Sequence, residues 1–423
     1  MTTSAGTWFG QPRGLTVLFL TNMWEQFSYY GMRALLVYYM TRQLMLEQGH
    51  ASLVYGTYTA CAYFTPILGG VIADRFLGKR RAIVIGGSIM ATGHFMMIFE
   101  PLFYVALATI AIGNGLFLPS LPSQIDDLYE PGDPRVGWAY NVYYVGVNIG
   151  GFLAPLICGT LGELYGWHWG FGAAGIGMVA GLCIYLWGQR YLPEQARHPA
   201  VERQAAPRAR FPRNTLLLLV AVALAVTVFR GAYEQVGNTV ALWADAGVDR
   251  RAGTAMIPMT WFQSLNPLLV MLMTPPLLAW WRRRAEAGRI ERPARKMALG
   301  ALVVGGAYLL LAALEAAGSP AHWLWLALFF AILTFGELFI LPTGLGLFAR
   351  LAPEGLGATT VAAWYLATFA GSLFAGLVGT LWSSMAHSAY FLLLAAIAGA
   401  AALLLRVIDG YAGTIGQASR ETN

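Results

Sequence analysis

The sequence predicts an all-α integral membrane protein that crosses the bilayer twelve times. Of the 423 residues, 57% are hydrophobic and only 11% are charged, whereas a soluble domain carries roughly 25% charged residues. This composition excludes a soluble enzyme, and it excludes a disordered chain, which combines low hydrophobicity with high charge. The net charge of +6 does not indicate nucleic-acid binding, because the basic residues lie between apolar segments and not on one face.

Twelve apolar stretches are each long enough to cross a bilayer as a helix, which takes about 20 residues. Their length and continuity exclude the roughly 10-residue alternating strands of a membrane barrel. A short polar segment precedes the first full-length stretch, so no cleavable signal peptide is expected. The predicted spans one to twelve are 16–40, 52–73, 82–99, 103–122, 138–160, 170–189, 214–238, 256–281, 297–316, 322–347, 357–382 and 388–408.

Charges between the spans predict the orientation. The two ends and the even-numbered loops hold 22 of the Lys and Arg residues, the odd-numbered loops hold 3, and 2 lie within spans. By the positive-inside rule, we expect both termini in the cytoplasm. Arg greatly outnumbers Lys and the spans are rich in Ala, as is typical of bacteria with GC-rich genomes, so we expect a multi-pass protein of the cell inner membrane.

The longest polar stretch, between spans six and seven, predicts a cytoplasmic linker at 191–213. It would join an N-terminal six-helix bundle, 1–190, to a C-terminal six-helix bundle, 214–423. Its basic residues are explained by topology, with anionic lipid binding as the alternative.

Short motifs recur in the two predicted halves. Trp24-Glu25-Gln26 in span one matches Tyr233-Glu234-Gln235 in span seven, and Gly115-Leu-Phe-Leu-Pro119-Ser in span four matches Glu337-Leu-Phe-Ile-Leu-Pro342-Thr in span ten. Internal duplication is typical of carriers whose binding site lies near mid-membrane, between the repeats.

Ionisable residues within the spans are the first candidates for function. A charge at the centre of a membrane helix costs on the order of 3 kcal/mol on insertion scales, so it is expected to face a partner or a wet cavity. The candidates are Glu25 and Arg33 in span one, Arg230 and Glu234 in span seven, and Glu337 in span ten.

Helical spacing groups these residues with polar and aromatic neighbours. Glu25, Tyr29 and Arg33 are four apart and share one face of span one, and Asn22, Gln26 and Tyr30 form the adjoining face. Arg230 and Glu234 are also four apart and can form an ion pair. Further polar residues are Tyr63 in span two, Asn148 in span five and Asn266 in span eight.

Together these side chains predict a polar, aromatic cavity lined by both halves. A guanidinium such as Arg33 binds a carboxylate through two parallel hydrogen bonds, and a carboxylate such as Glu234 or Glu337 binds an ammonium group. The chemistry therefore suits a small zwitterion. Structural alternatives remain: a purely structural ion pair at Arg230 and Glu234, and simple helix packing by the asparagines and tyrosines.

The loop between spans two and three carries a further motif, Gly69-Gly70-x-x-x-Asp74-Arg75 followed by Gly78-Lys79-Arg80-Arg81. It combines glycines for close helix packing, a carboxylate at a helix end and a run of positive charge. It resembles the loop signature of the major facilitator superfamily, which implies a gating loop that latches one half. The alternative is that the basic residues of this loop only set the orientation of the protein in the membrane.

Other function classes lack their motifs. The sequence contains no His-Glu-x-x-His, no Cys/His ligand set and no phosphate loop. We therefore expect no enzyme activity, no metal and no bound cofactor. A channel or sensor is disfavoured by the two-fold repeat.

Several motifs resemble the proton-dependent oligopeptide transporter (POT/PTR) family of the major facilitator superfamily. The motifs, which run from span one to span eleven, are Phe27-Ser-Tyr-Tyr-Gly-Met-Arg33, Tyr63-Phe-Thr-Pro-Ile-Leu-Gly-Gly-Val-Ile-Ala-Asp74-Arg75, Tyr144-x-x-x-Asn148-x-Gly150, Gly166-Trp-His-Trp-Gly-Phe-Gly172, Trp261-Phe-Gln-Ser-Leu-Asn266-Pro267 and Gly336-Glu337-Leu. The resemblance implies a major facilitator fold of two six-helix halves and import of di- and tripeptides by alternating access and proton symport. It implies a functional monomer in the lipid bilayer whose partners are a small peptide and protons, with the proton gradient as energy source.

The resemblance also implies roles for individual residues. Arg33 would bind the peptide carboxylate, Glu337 would face the peptide amino end, and Glu234 would be the proton-linked acid of span seven, with Arg230 beside it. Glu25 would be the retained acid of the span-one signature. The remaining pocket residues would be Tyr29, Tyr30, Tyr63, Asn148, Asn266 and Trp364.

Three positions depart from the family pattern. The Glu-x-x-Glu-Arg signature of span one reads Asn22-Met-Trp-Glu25-Gln26, and the usual Lys of span four is Leu118. An aromatic residue usually stands where Arg230 is. Joint loss of a Glu, an Arg and a Lys avoids an unpaired buried charge. Two hypotheses follow. In the first, proton coupling persists through Glu234. In the second, the scaffold carries a different small zwitterion or anion, or it carries peptides without protons.

Overall fold

Helices make up most of the structure, a computed structural model that describes residues 7–8, 10–130, 132–193, 212–289, 292–353 and 356–421. In chain order the α-helices are α1 (Arg13–Tyr38), α2 (Gln48–Ile72), α3 (Lys79–Met96), α4 (Phe103–Ser120), α5 (Arg135–Ala154), α6 (Thr160–Tyr165), α7 (Trp167–Gly188), α8 (Arg213–Tyr233), α9 (Thr239–Ala246), α10 (Leu265–Glu286), α11 (Pro293–Ala316), α12 (Trp323–Leu351), α13 (Gly357–Gly379) and α14 (His387–Glu421).

Shorter segments extend and join these helices. Three π-helical turns, Tyr39–Gln43, Ala73–Leu77 and Pro155–Gly159, continue α1, α2 and α5. Turns of 3-10 helix occur at Glu100–Leu102, Pro122–Gln124, Asp126–Leu128, Gln189–Tyr191, Glu234–Gly237, Met259–Ser264 and Thr380–Ser383. Two-residue strands form an antiparallel pair of β1 (Thr7–Trp8) with β2 (Gln11–Pro12), a parallel pair of β3 (Val248–Asp249) with β6 (Ala321–His322), and an antiparallel pair of β4 (Arg251–Ala252) with β5 (Ala255–Met256).

Each of the twelve predicted spans falls on a helix, which confirms the all-α membrane fold. Spans one to six correspond to α1–α5 and α7, and spans seven to twelve to α8 and α10–α14. Within the described residues, ten helices are long and apolar enough to cross a membrane. The other two predicted spans are α1, whose apolar run is interrupted around Glu25, and α3, which begins with Lys79-Arg80-Arg81.

Two spans differ in detail from the sequence prediction. Span seven is predicted to be continuous, but α8 ends at Tyr233 and a 3-10 turn leads to α9. Asn238, with φ −116° and ψ −98°, lies outside the helical region and interrupts the helix. Span eight is predicted to start at 256, yet α10 begins only at Leu265. Hydropathy measures apolarity, so it does not detect a change of backbone conformation within an apolar run.

The chain divides into two compact units. Unit 1 comprises Met1–Met45, Cys61–Glu202 and Thr260–Leu268, and unit 2 comprises Leu46–Ala60, Arg203–Met259 and Leu269–Asn423. The first half of α2 thus belongs to unit 2, and the start of α10 belongs to unit 1. Most of the predicted linker, including Arg197, Arg203, Arg208 and Arg210, lies outside the described residues.

Each unit is built around its own helix contacts. In unit 1, α1 packs against α5 and α7, and α3 packs against α4 and α7. In unit 2, α11 packs against α12 and α14, and α8 packs against α13 and α14. The Tyr308 hydroxyl of α11 donates a hydrogen bond of 2.6 Å to the Ala232 carbonyl of α8, which gives this buried hydroxyl a backbone partner.

One glycine contact recurs in both units. A Cβ added to Gly86 of α3 would lie 2.7 Å from the Gly113 carbonyl oxygen of α4, and a Cβ added to Gly300 of α11 would lie 2.5 Å from the Gly336 carbonyl oxygen of α12. Small residues let membrane helices approach this closely. Because these are the third and fourth spans of each half, the contact supports the internal duplication.

The glycine contact also fixes the register of the repeat. With Gly113 matched to Gly336, Asn114 corresponds to Glu337 and Pro119 to Pro342. The motif match made from the sequence pairs Gly115 with Glu337, which is shifted by one residue at its start. The structure therefore assigns the polar residue of span four, Asn114, to the place that Glu337 occupies in span ten.

Replacing Gly113 by Ala is expected to destabilise the protein by about 1–3 kcal/mol, because the new methyl group would overpack the helix contact. Its Cβ would lie 2.6 Å from the Gly86 carbonyl oxygen. The measurement is the apparent melting temperature in detergent, followed by tryptophan fluorescence. Gly306→Ala is the control, since nothing lies within 4 Å of its added Cβ. Equal melting temperatures for the two variants would contradict the glycine contact.

Candidate functional site

Two side chains of α1 fix the rotation of this helix in unit 1. The Ser28 hydroxyl donates to the Ala174 carbonyl of α7 at 2.7 Å, and the Asn22 amide donates to the Tyr143 carbonyl of α5 at 3.1 Å. Both residues are buried. With these contacts in place, the predicted pocket residues of the same helix, Tyr29, Tyr30 and Arg33, remain partly exposed.

Two residues that depart from the family signature, Asn22 and Gln26, form side-chain hydrogen bonds in the structure. Asn22 bonds to a backbone carbonyl, and the Gln26 amide donates to the Glu25 carboxylate at 2.7 Å. Glu25 is only 1% exposed, unlike Arg33 on the same stripe. Leu118 is partly buried on α4. Amide side chains therefore occupy positions where the family pattern has charges.

The start of α10 lies beside α1 and α5 in unit 1. Gln263 donates to the Ala34 carbonyl at 3.2 Å, and Ser264 donates to the Phe152 carbonyl at 2.8 Å. A methyl group on Gly151 would lie 3.3 Å from the Tyr30 ring and 3.5 Å from Pro267. The structure thus places Pro267, which follows Asn266, near the face of α1 that carries Tyr30.

Two other predicted residues of unit 1 lie on well-anchored helices. Asn148 is buried, and its amide donates to the Tyr144 carbonyl of its own helix at 2.9 Å. Tyr63 follows Ala62, whose carbonyl accepts from Asn114 of α4 at 3.0 Å. The hydrogen bond from Asn114 holds α2 against α4 at Ala62. The side chain of the next residue, Tyr63, is partly exposed.

In unit 2, Arg230 and Glu234 form a salt bridge at the end of α8. Their side chains are 4% and 2% exposed. A Cβ added to Gly371 of α13 would lie 2.6 Å from the Arg230 Cβ, so a glycine opposite makes room for the arginine. The Arg230 guanidinium also lies 5.8 Å from the Tyr233 ring centroid. Each ion of the pair neutralises the other, and either charge alone would be unfavourable inside a membrane.

Glu337 and Trp364 are both nearly buried in unit 2, at 8% and 7% exposure. Trp364 of α13 contacts Gly344 of α12, and its ring centroid lies 5.4 Å from that of Phe348. This indole therefore packs between two helices. Its role in a pocket stays a prediction, as do the roles of the other predicted site residues.

The predicted gating loop is anchored within unit 1. The Lys79 ammonium lies 2.7 Å from the Asp127 carboxylate and donates to the Ser123 carbonyl at 2.8 Å. Arg80 donates to the Leu192 and Pro193 carbonyls at 2.8 and 2.6 Å. Asp74 and Arg75 are exposed.

Sequence reasoning missed a hydrogen-bonded contact in unit 2, which we call the α2 latch and define as Gln48, Ser52 and Asn238. Gln48 donates to Ser52 at 2.7 Å and to the Gly379 carbonyl at 2.9 Å. Ser52 donates to the Asn238 side-chain oxygen at 3.0 Å. The latch therefore joins the first turns of α2 to the end of α13 and to the break in span seven.

The backbone packing around the latch is close. A Cβ added to Gly56 of α2 would lie 2.5 Å from the Gly376 Cα of α13. Asn238 also donates to Gln235, the neighbour of Glu234, at 3.2 Å. The latch and the Arg230–Glu234 salt bridge thus share one helix break. The Gly237-Asn238 dipeptide, a common breaker, was the sequence signal for it.

A second contact of this kind, the α10 latch, lies in unit 1 and consists of Glu163 and Thr260. The Glu163 carboxylate accepts from the Thr260 backbone amide at 2.8 Å and from its hydroxyl at 2.6 Å. Since α2 and α10 are the second spans of the two halves, both latches lie at the start of equivalent spans.

Comparisons with known proteins agree with this architecture. The POT family profile (PTR2) matches residues 80–210 and 208–393, most of the chain. The chain belongs to the POT family. A di-/tripeptide transporter of Lactococcus lactis subsp. cremoris is 31% identical over 438 residues, covering 85% of this chain and 88% of the relative.

Two further POT-family comparisons are similarly extensive. The peptide transporter YePEPT of Yersinia enterocolitica subsp. palearctica is 30% identical, with 88% of each protein covered. The crystal structure of peptide transporter POT in complex with sulfate has a TM-score of 0.89 at 28% identity, covering 98% of this chain and 97% of that one. These relatives are transporters, which confirms the predicted family, the major facilitator type of fold and the expectation that the protein is not an enzyme.

Ser52→Ala is expected to loosen the α2 latch, because it removes one donor and one acceptor from a buried network. Losing a hydrogen bond and leaving its partner unsatisfied costs about 1–3 kcal/mol, so amide hydrogen exchange in the first turns of α2 should rise about tenfold. The control is Ser88→Ala, whose hydroxyl donates only to Val84 of its own helix on an exposed face. Unchanged exchange in the first turns of α2 would contradict the latch.

Proposed function

We propose that the protein imports di- and tripeptides by alternating access, with the proton gradient as energy source and no bound cofactor. The names of its relatives, di-/tripeptide transporter and peptide transporter, support the substrate class. The observation that carries the proposal is the face of α1 in unit 1, where Tyr29, Tyr30 and Arg33 stay partly exposed. A guanidinium and two aromatic rings on one helix suit a peptide whose carboxylate is constant and whose side chains vary.

The other predicted residues take complementary roles in this proposal. Arg33 binds the peptide carboxylate, and Glu337 faces the peptide amino group. The amides of Asn148 and Asn266 offer donors and acceptors to the peptide backbone. Tyr63 and Trp364 contribute walls that tolerate different side chains.

Proton coupling in this proposal rests on the Arg230–Glu234 salt bridge. Protonation removes the negative charge of Glu234 and ends its charge–charge attraction to Arg230. Because a cation inside the membrane is more favourable next to an anion, proton binding and the binding of an anionic group become thermodynamically linked. Glu25 remains the second candidate for a proton, with Gln26 as its hydrogen-bond donor.

The expected orientation in the membrane gives the two latches a role in this proposal. We place the protein in the cell inner membrane as a monomer of two six-helix halves with both termini in the cytoplasm. The starts of α2 and α10 then lie on the periplasmic side. The α2 and α10 latches would close the periplasmic mouth, and the loop of Asp74, Lys79 and Arg80 would serve the cytoplasmic mouth.

A second candidate function is favoured by Asn22, Gln26 and Leu118. These neutral residues remove the charges that the family uses in its first half, so the scaffold would carry peptides without protons, or another small zwitterion or anion. The two candidates differ in their response to an imposed pH gradient.

Dipeptide uptake into proteoliposomes is expected to follow an inward proton gradient and to fall to background in Glu234→Gln, while counterflow exchange continues. A pH gradient and a membrane potential are imposed separately. Removing one partner of a buried ion pair destabilises a protein by about 3–5 kcal/mol, so the double variant Arg230→Gln/Glu234→Gln is tested as well. Glu100→Gln, an exposed acid, is the control. Full gradient-driven uptake in the double variant would exclude Glu234 as the coupling acid, and wild-type accumulation that ignores both forces would favour the second candidate.

Arg33→Gln is expected to lose the discrimination between a dipeptide and its C-terminal amide. Wild-type counterflow should prefer the free carboxylate by at least about tenfold, because a charged hydrogen-bonded pair is worth several kcal/mol when desolvated. The measurement is competition of labelled dipeptide exchange by the acid and the amide. Arg251→Gln, an exposed arginine, should keep the wild-type preference. A preserved preference in Arg33→Gln would assign carboxylate binding to another residue.

A further inference from the structure

The segment that joins α10 to α11 concentrates exposed positive charge. Five arginines within 14 residues are exposed, namely Arg282, Arg283, Arg289, Arg292 and Arg295. We call them the α10–α11 arginine patch. The acid Glu286 pairs with Arg282 at 2.8 Å, and the Arg282 side chain is still 82% exposed. Among the described residues, no carboxylate forms an ion pair with Arg283, Arg289 or Arg295.

The positive-inside rule accounts for the sign of the charge in this segment but does not specify its contacts. The equivalent loop of the first half, between α2 and α3, also carries basic residues, but the protein uses two of them. Lys79 bonds to Asp127 and Ser123, and Arg80 bonds to two carbonyls that follow α7. The two loops therefore share a sign of charge but differ in how many arginines are exposed, two in the α2–α3 loop (Arg75 and Arg81) and five in the α10–α11 segment.

Tryptophans place the patch at the edge of the apolar part of α10. Trp280 is 41% exposed, and the Arg284 guanidinium lies 4.9 Å from its ring centroid. The Lys296 ammonium lies over the ring of Trp281, 2.8 Å from its centroid. Tryptophan is enriched at the level of lipid headgroups, and Leu272 and Leu278, earlier in α10, are exposed apolar residues. The arginines thus begin at the end of the apolar part of α10, next to two tryptophans.

We propose that the α10–α11 arginine patch binds the phosphodiester headgroups of anionic phospholipids of the phosphatidylglycerol type. Arginine matches the geometry of phosphate with two parallel donors, and each basic residue near an anionic membrane surface contributes about 1 kcal/mol. Phosphatidylcholine has the same phosphate but carries a compensating cation, so it binds more weakly. Arg292 also donates to the Asp409 carbonyl of α14 at 3.3 Å, which connects the patch to the last helix of unit 2.

The test is a thermal-shift titration of the full-length protein in detergent with dioleoyl-phosphatidylglycerol, dioleoyl-phosphatidylcholine and glycerol 3-phosphate. Phosphatidylglycerol is expected to raise the melting temperature of the wild type, and the other two are not. In Arg282→Gln/Arg283→Gln/Arg289→Gln, the half-maximal phosphatidylglycerol concentration should rise at least about tenfold. This readout needs no transported substrate, so it stands apart from the proposed function.

A charge-matched control separates the patch from net charge. Arg81, Arg350 and Arg406 are exposed and dispersed, and their triple replacement by Gln should leave the phosphatidylglycerol titration unchanged. An equal loss in this control would overturn the proposal, because net charge would then suffice. An unchanged titration in the patch variant would overturn it as well. An equal shift with glycerol 3-phosphate would assign the patch to soluble phosphate instead of lipid.

Discussion

Inside a membrane, a charged or polar side chain must find its partner within the protein, because hydrocarbon offers none. Arg230 and Glu234 meet this constraint by pairing with each other, and Glu25 meets it by accepting from Gln26. The changes in the family signature obey the same rule. An acid, a base and a lysine are replaced together, and Asn22 is satisfied by a backbone carbonyl of α5. The buried acid of span seven is thus paired with Arg230, and the buried acid of span one accepts from a neutral amide.

Glycine is the second device on which the architecture depends. The contacts of Gly86 with Gly113 and of Gly300 with Gly336 bring helix backbones together at equivalent places in the two halves. This close approach rules out a side chain at each position and fixes the register of the neighbouring polar residues. Similarly, Gly371 leaves space for Arg230 on α8. A departure from the family pattern at one position is thus accommodated by a small residue on the helix opposite.

The break in span seven links several features of unit 2. Glu234 lies at its start, and Asn238, at its end, accepts from Ser52 of α2. A continuous helix would offer no free backbone and no change of direction at this place. The salt bridge and the α2 latch thus share the break, and Asn238 connects the latch to Gln235, the neighbour of Glu234. The latch uses neutral hydrogen bonds, which are less sensitive to salt than ion pairs.

The sequence by itself determined the membrane class, the apolar spans, the duplication and the family, because apolar length, charge and motif spacing are local properties of the chain. It also identified Arg230 and Glu234 as a pair, since their spacing places them on one helix face. Only the tertiary structure showed the two latches, the packed position of Trp364 and the difference between the two basic loops. Each of these depends on which carbonyl, glycine or carboxylate a distant helix presents, and that information is not contained in the periodicity of any single segment.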